Sequence, residues 1–241
     1  TERQVHARVL ADLSGRRGGL IMTPNVDILR QLRGERRDLA DQATLVVADG
    51  APIVWASVLR GAALPQRVTG SSLIWSLSAA AAGAGRRVML LGGAEGVAER
   101  AARRLELEHP SLRPVEWYFP PFGFDADDAG LSAVEEVVAH AGADIVFVGL
   151  GFPRQEDLSL RLLERFSSTW FVGCGGSITM LAGDVPRAPA WMQRTGLEWL
   201  HRLAHEPRRL AHRYVVQDAP YALGLLARSA WAGAARAQHT K

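Results

Sequence analysis

The stretch Thr44–Gly50, TLVVADG, carries β-branched and aliphatic residues up to a single aspartate, Asp49, and stops at Gly50. Three further segments share this layout: Val88–Gly93 (VMLLGG), Ile145–Gly151 (IVFVGLG) and Phe171–Gly176 (FVGCGG). Each is a short apolar run that ends on glycine or a lone polar group and is followed by helical spacing. Uninterrupted apolar runs suit strands buried on both faces, as in a parallel sheet covered by helices. In such sheets ligands bind beyond the carboxyl ends of the strands, where Asp49 and these glycines fall. The pattern predicts an enzyme or a nucleotide binder, with Asp49 the first candidate for chemistry.

Outward from these runs, strands and helices alternate. Gly19–Thr23 reads as a strand leading into Pro24-Asn25, and Val26–Leu32 has helical spacing. Pro52–Leu59 reads as a helix with proline in its first turn. Arg67–Ser72 (RVTGSS) is a polar entry to a helix over Leu73–Ala82, with serine available as N-cap. Arg87–Leu91 is a strand and Ala94–Glu108 a helix, its apolar positions at Val97, Ala101 and Leu105. Pro110–Phe124 predicts a strand with an irregular loop. Leu131–Ala141 is a helix, Asp144–Leu150 a strand, Gln155–Phe166 an amphipathic helix and Thr169–Val172 the last strand. This order predicts an α/β fold, a Rossmann-like, doubly wound, mostly parallel sheet.

The pattern changes near residue 190. Proline punctuates a segment rich in Trp, Arg and His: Trp191, Arg194, Trp199, His201, Arg202, His205, Arg208, Arg209, His212 and Arg213. Gly196–His205 and Arg208–Val216 read as two short amphipathic helices hinged at Pro207. The expected organisation is therefore a core over residues 1–189 and a helical appendage over 190–241.

Composition narrows the function classes. With 48% hydrophobic residues over 241 positions, the chain can bury a sizeable core. Its longest apolar stretches, Ala79–Gly85 and Ala219–Ala227, fall short of the roughly 20 residues that span a bilayer. No basic-then-apolar secretory start is present, so a cytoplasmic location is expected. Cys174 is the only cysteine, which excludes an internal disulfide and a cysteine-cluster metal site. The histidines show no metal-ligand spacing: His201 and His205 are four apart on a helix but lack a matching third ligand. From Arg187 onward there are nine Lys+Arg against three Asp+Glu, so this segment carries +6 of a net +3 and the rest of the chain −3. A basic segment on a mildly acidic body predicts an anionic surface or a polyanionic ligand for that segment.

Four constellations carry candidate chemistry. Asp49, with Gly50 leaving room for a close ligand, reads either as a general base for a hydroxyl nucleophile or as a turn or N-cap aspartate before the next helix. Gly92, Gly93 and Gly96 follow a strand and open a helix, an arrangement that suits a diphosphate on helix N-terminal amides or simply a tight turn. Their GGxxG spacing is not the full dinucleotide fingerprint. Gly149–Glu156 (GLGFPRQE) places Arg154, Gln155 and Glu156 in a first helical turn, where Gln155 can bond sugar hydroxyls and Arg154 can pair with phosphate. A capped helix with solvated charges is the alternative. Arg187-Ala188-Pro189 with Trp191, and Glu198-Trp199, combine charge with aromatics beside proline, suited to a sugar, an anionic lipid head group, or a basic face over core tryptophans.

Taken together, Thr23-Pro24-Asn25, Asp49-Gly50, Arg67-Val68-Thr69-Gly70, Leu90–Gly93, Gly149–Glu156, Gly173–Gly183, Arg187-Ala188-Pro189-Ala190-Trp191, and Gly196–Arg202 with Glu206–Tyr214 resemble the WecG/TagA/CpsF family of bacterial glycosyltransferases. The resemblance runs in order over about residues 20–216. It implies inverting transfer of a sugar, of N-acetylmannosamine, glucose or uronic acid type, from a UDP-sugar to a polyprenyl-diphosphate-linked saccharide in cell-surface polymer synthesis. It also implies a Rossmann-like core whose C-terminal appendage meets the anionic inner face of the cell membrane and completes the site.

By position, the family's base falls on Asp49, its first-motif threonine and asparagine on Thr23 and Asn25, and its site glutamine on Gln155. Donor and substrate contacts are expected at Arg67, Gly70, Gly92, Gly93, Gly151, Arg154, Gly175, Gly176 and Arg187. Contacts to the acceptor diphosphate or the membrane are expected at Arg202, Arg209, His212 and Arg213. No metal or other cofactor and no nucleic acid is expected, and a homo-oligomer is left open. Ser72 stands where relatives usually carry an acid, Ile178-Thr179 where they often carry Phe-Asp, and His212 where they carry the first of two arginines. Two other function classes compete with this reading. One is a nicotinamide or flavin oxidoreductase, with Glu116 about 20 positions after Gly96 as its ribose-binding acid. The other is a non-catalytic scaffold that binds lipid-linked sugars through the tail.

Overall fold

The computed structural model describes residues 1–239 except Glu35 and Arg113. Lys241 and the side chain of Arg194, both counted in the basic segment, lie outside the described part. In chain order the core comprises α1 (Glu2–Ser14), β1 (Gly19–Met22), α2 (Val26–Gln31), α3 (Asp38–Gln42), β2 (Leu45–Val46), α4 (Ala51–Leu59), α5 (Gly70–Gly83) and β3 (Val88–Gly92). It continues through α6 (Val97–Glu108), β4 (Glu116–Tyr118), α7 (Asp128–Ala141), β5 (Ile145–Gly149), α8 (Arg154–Arg165), β6 (Trp170–Gly173) and α9 (Ser177–Ala182). The last part holds α10 (Ala190–Thr195), α11 (Glu198–His205), α12 (Pro207–Ala211), a π-helical stretch over His212–Asp218, and α13 (Ala219–His239).

The strands form one six-stranded sheet, ordered β2-β1-β6-β5-β3-β4, with every neighbouring pair parallel. The apolar runs are continuous because successive residues face opposite, equally buried layers. Ile21, Leu90, Phe147 and Val172 pack with Val9, Leu73, Leu77, Ala101 and Leu105 of α1, α5 and α6. Their neighbours Leu20, Met89, Leu91, Val146, Val148 and Phe171 pack with Val134, Val138, Leu158 and Leu162 of α7 and α8. After β3 the chain moves outward to β4, and after β5 it moves the other way to β6. That divergence opens a crevice at the strand ends, where Gly92 is in register with Gly149.

Several element ends differ from the sequence expectation. Of Thr44–Gly50 only Leu45–Val46 joins the ladder. Beyond it, the Val47 N–H donates to Met22 O (3.0 Å) and the Asp49 N–H to Pro24 O (3.0 Å), so this edge segment follows the β1–α2 connection off the sheet. Helix α5 starts earlier than its apolar spacing, because Thr69, not a serine, is its N-cap and accepts from the Ser72 N–H at 2.9 Å. The chain turns at Glu206 between α11 and α12, where the proline that follows disfavours helical geometry. Five of the described helices were not expected: α1, α3, α9, α10 and the long α13.

The segment after residue 190 folds back on the core. Helix α13 packs along α4 and touches α2. Tyr221 donates its hydroxyl hydrogen to Leu29 O (3.2 Å) and lies under the Arg33 guanidinium, 5.0 Å from its centroid. Among the described residues, no helix is long and apolar enough to cross a membrane.

Phe147 is fully buried at the centre of the sheet. Phe147→Ala should cost about 3–5 kcal/mol in chemical denaturation, from lost transfer energy and the cavity left behind. A cost below about 1 kcal/mol would contradict double-sided burial of this strand.

Candidate active site

The carboxyl ends of β1, β2, β3, β5 and β6 bring most of the expected residues to one rim. Asp49 sits just past β2, and its Oδ2 accepts the Gly70 N–H at 3.2 Å. Glycine at 70 suits a close approach: a Cβ there would lie 3.0 Å from the Cys174 Cα and need a shift of a few tenths of an ångström, so α5 begins hard against the end of β6. Asp49 is partly exposed as a residue, but protein atoms crowd its carboxyl group. Desolvation pushes that carboxyl up to about 7. The negative charge of Glu198 adds to the rise, while the Gly70 N–H, Arg67 and Arg202 oppose it.

The glycine turns around the crevice are tied together by buried polar side chains. Thr23, at the end of β1, donates its hydroxyl to Gly173 O at 2.7 Å. Gln155 in the first turn of α8 is 2% exposed, and its Oε1 accepts both the Gly151 N–H (3.2 Å) and the Gly175 N–H (3.0 Å). Its Nε2 donates to Glu156 Oε1 at 2.8 Å. Glu156 is itself buried, and desolvation raises its carboxyl to about 7. Gly92 has φ +112°, and a Cβ there would stand 2.7 Å from Gly149 O, so only glycine lets these two turns meet. Asn25 caps α2, its Oδ1 accepting the Ile28 N–H at 3.0 Å.

The structure thus gives Thr23, Asn25 and Gln155 bonds that hold the turns, and leaves Asp49 as a carboxyl at the rim held by one backbone N–H. Gly93 donates its N–H to Gly149 O (3.1 Å), and Gly151, Gly175 and Gly176 complete the rim. Cys174 lies beneath them; burial pushes its thiol up, so it stays neutral and donates to Val148 O.

The expected arginines divide into two groups. Arg202 reaches back from α11 to the turn before α9, with Nη2 3.2 Å from where a Gly176 Cβ would lie, and its charge acts on Asp49. Arg187 donates to Ser72 Oγ (2.8 Å) beside the start of α5. Neither forms an ion pair among the described residues. The others are committed elsewhere: Arg67 to Glu198 (3.2 Å), Arg154 to Asp125 (2.7 Å) and Arg209 to Glu206 (2.6 Å). Arg213 lies between Asp27 and Asp218, and His212 is exposed.

Thr69 and Ser71 were not named as site residues, and Glu198 was named only with Trp199 in a charged and aromatic set, not as a partner of Arg67. Glu198 carried a signal: it is one of only three acids in a basic segment, and all three face arginines.

A carboxyl that holds a proton near neutral pH, with the charges of Arg67 and Arg202 acting on it, suits proton removal from a hydroxyl. The profile of the glycosyl transferase WecG/TagA/CpsF family matches residues 1–235. The chain belongs to this family. It is a glycosyltransferase.

Similar proteins agree. The chain is 29% identical over 194 residues, 80% of its length and 73% of the relative's, to the N-acetylglucosaminyldiphosphoundecaprenol N-acetyl-β-D-mannosaminyltransferase of Bacillus subtilis (strain 168). Proteins of the same name from Bacillus spizizenii and Staphylococcus aureus (strain MW2) are each 30% identical. They match over 82% and 79% of this chain, and 75% and 73% of their own lengths. For the oxidoreductase alternative, Glu116 is misplaced. It opens β4, at the amino end of a strand in a parallel sheet, opposite the glycine rim.

Burial of Asp49 gives the glycosyltransferase a stability cost with a definite sign. The folded state holds the Asp49 proton more tightly than the unfolded chain, so ionisation destabilises it. The cost is absent below about pH 4, grows as pH rises toward 7, and is complete above that. Asp49→Asn should therefore melt higher than wild type at pH 8 and converge with it near pH 4. An Asn variant that melts lower at pH 8 would contradict a desolvated carboxyl.

Proposed function

We propose that this glycosyltransferase moves a sugar from a UDP-sugar to a polyprenyl-diphosphate-linked saccharide with inversion, and that Asp49 removes the acceptor hydroxyl proton. The observation that carries this reading is the Asp49 carboxyl, enclosed at the strand-end cleft with a proton affinity near neutral. In the transfer, Asp49 takes the proton as the acceptor oxygen attacks the anomeric carbon, and the bond to the departing UDP breaks on the opposite face. A base matched to working pH is most effective in such a step. The names of the similar proteins supply the acceptor class, a diphosphoundecaprenol-linked N-acetylglucosamine, and point to an N-acetylmannosamine-type donor.

The charge of the leaving diphosphate falls to Arg202 and Arg187 beside the glycine turns, with no metal needed. Thr23, Asn25 and Gln155 keep this cradle in shape. Residues 1–189 form the catalytic core, and 190–241 the appendage that supplies Arg202 and meets the inner face of the cell membrane. Exposed Trp191, Trp199, Leu200, Val215, Val216, Leu223 and Trp231 with the basic balance of this segment support a peripheral contact.

Turnover with a panel of UDP-sugars and a short-chain lipid-diphosphate acceptor tests the reading. Asp49→Asn should lower turnover by about 10²–10⁴-fold with UDP affinity kept. Near-full activity of that variant would remove Asp49 from the mechanism. Wild-type activity should persist in EDTA; loss on chelation with recovery on adding Mg²⁺ or Mn²⁺ would overturn the metal-free account.

A further inference from the structure

The hexapeptide Arg67–Ser72 touches two carboxylates at once. Its Gly70 N–H binds Asp49, while Arg67 and Ser71 on either side bind Glu198, the first residue of α11. Glu198 is 7% exposed. Its Oε2 accepts from both terminal nitrogens of Arg67 at 3.2 and 3.3 Å, and its Oε1 from Ser71 Oγ at 3.4 Å. Arg67 also donates to Gln193 O at 2.8 Å, and Ser71 meets the cap Thr69 at 3.0 Å. The approach of α11 is fixed at Gly196, where a Cβ would stand 2.4 Å from Ala51 Cβ, so this turn rests on the first residue of α4.

We propose that Glu198 is a positioning residue of the transfer reaction: from the appendage it holds the Arg67 guanidinium in a buried ion pair and sets the electrostatic surroundings in which Asp49 accepts a proton. This rests on Asp49 being the base.

The charged groups that face Asp49 are Glu198, Arg67 and Arg202, with the Gly70 N–H as its hydrogen-bond donor. Arg67 with no counter-charge would stabilise the Asp49 carboxylate and weaken it as a base. Glu198 cancels that charge and adds its own repulsion, so the carboxyl keeps its affinity for a proton. It also occupies Arg67, which is thereby unavailable to a donor phosphate. The appendage is then part of the chemistry as well as of any membrane contact. A core lacking α11 would keep Asp49 and lose the charge that adjusts it.

The experiment is the pH dependence of kcat/KM for the full chain with a water-soluble acceptor, in wild type, Glu198→Gln, Glu198→Asp, Arg67→Gln and Asp49→Asn, with folding checked by thermal melts. The acid limb of Glu198→Gln should move to lower pH by roughly one unit. Glu198→Asp, which keeps the charge, should stay with wild type. Arg67→Gln should move the limb to higher pH, because it removes an attractive cation and leaves Glu198 unpaired. General loosening of the site would not give opposite signs from the two partners. An unmoved limb in Glu198→Gln, alongside a collapse of turnover in Asp49→Asn, overturns the proposal while keeping the base. An unmoved limb in Arg67→Gln overturns it even if Glu198→Gln does not fold. Full turnover in Asp49→Asn would sink the assignment of the base, and the proposal with it.

Discussion

A carboxyl group enclosed by protein and given a single backbone hydrogen bond holds its charge only as far as its neighbours allow. Asp49 is in that position, and much of the architecture serves to place it there. The β2 ladder ends after two residues, so the chain leaves the sheet and sets Asp49 over the start of α5. Gly70 permits α5 to begin against β6, which brings the donating N–H within reach. The surrounding charges come from two parts of the chain: Arg67 from the core, Glu198 and Arg202 from α11. Segments remote in sequence thus converge on one ionisation equilibrium, and its balance sets whether the carboxyl accepts a proton near neutral pH.

Around this group the rim is rigid for a different reason. Glycines at the strand ends remove side chains, which lets the turns approach but would leave them loose. Buried polar side chains restore order: Thr23 ties β1 to β6, and one oxygen of Gln155 gathers N–H groups from the turns after β5 and β6. A satisfied buried network of this kind specifies one arrangement, whereas an unsatisfied one is costly. The Glu156 Oε2 lacks a partner among the described residues, and its carboxyl is raised by burial as Asp49 is. Two desolvated acids near one cleft are a stability cost of the kind found where function overrides packing.

The sheet was legible because burial on both faces demands uninterrupted apolar runs, and Val88–Leu91, Ile145–Val148 and Trp170–Val172 have them. Its strand-end glycines and Asp49 were legible for the related reason that a parallel sheet presents its loops at one end. Helix ends were less so. Thr69 caps α5 through a side-chain oxygen that serine could equally supply, and spacing alone does not choose between them. Helix α1 carries a capping box from Thr1 to Gln4 and buried Val5, Val9 and Leu13, a pattern present in the sequence but unread. Least visible was the pairing of Arg67 with Glu198. The two are 131 positions apart, and only the packing of the segment after residue 190 onto α4 and the start of α5 brings them together. The same holds for the split among the arginines, since pairing of Arg154 or Arg213 depends on partners that no local motif names.

Whether Asp49 is the base is decided by what it touches when both substrates are in place. A crystal structure with an unreactive UDP-sugar analogue and a short-chain lipid-diphosphate acceptor would measure that directly. With Asp49 as the base, the reacting acceptor hydroxyl lies at about 2.6–3.2 Å from an Asp49 carboxyl oxygen, with the diphosphate on the far side of the anomeric carbon near Arg202 and the glycine rim. An acceptor hydroxyl held by another group, with Asp49 turned toward Gly70 alone, would contradict it.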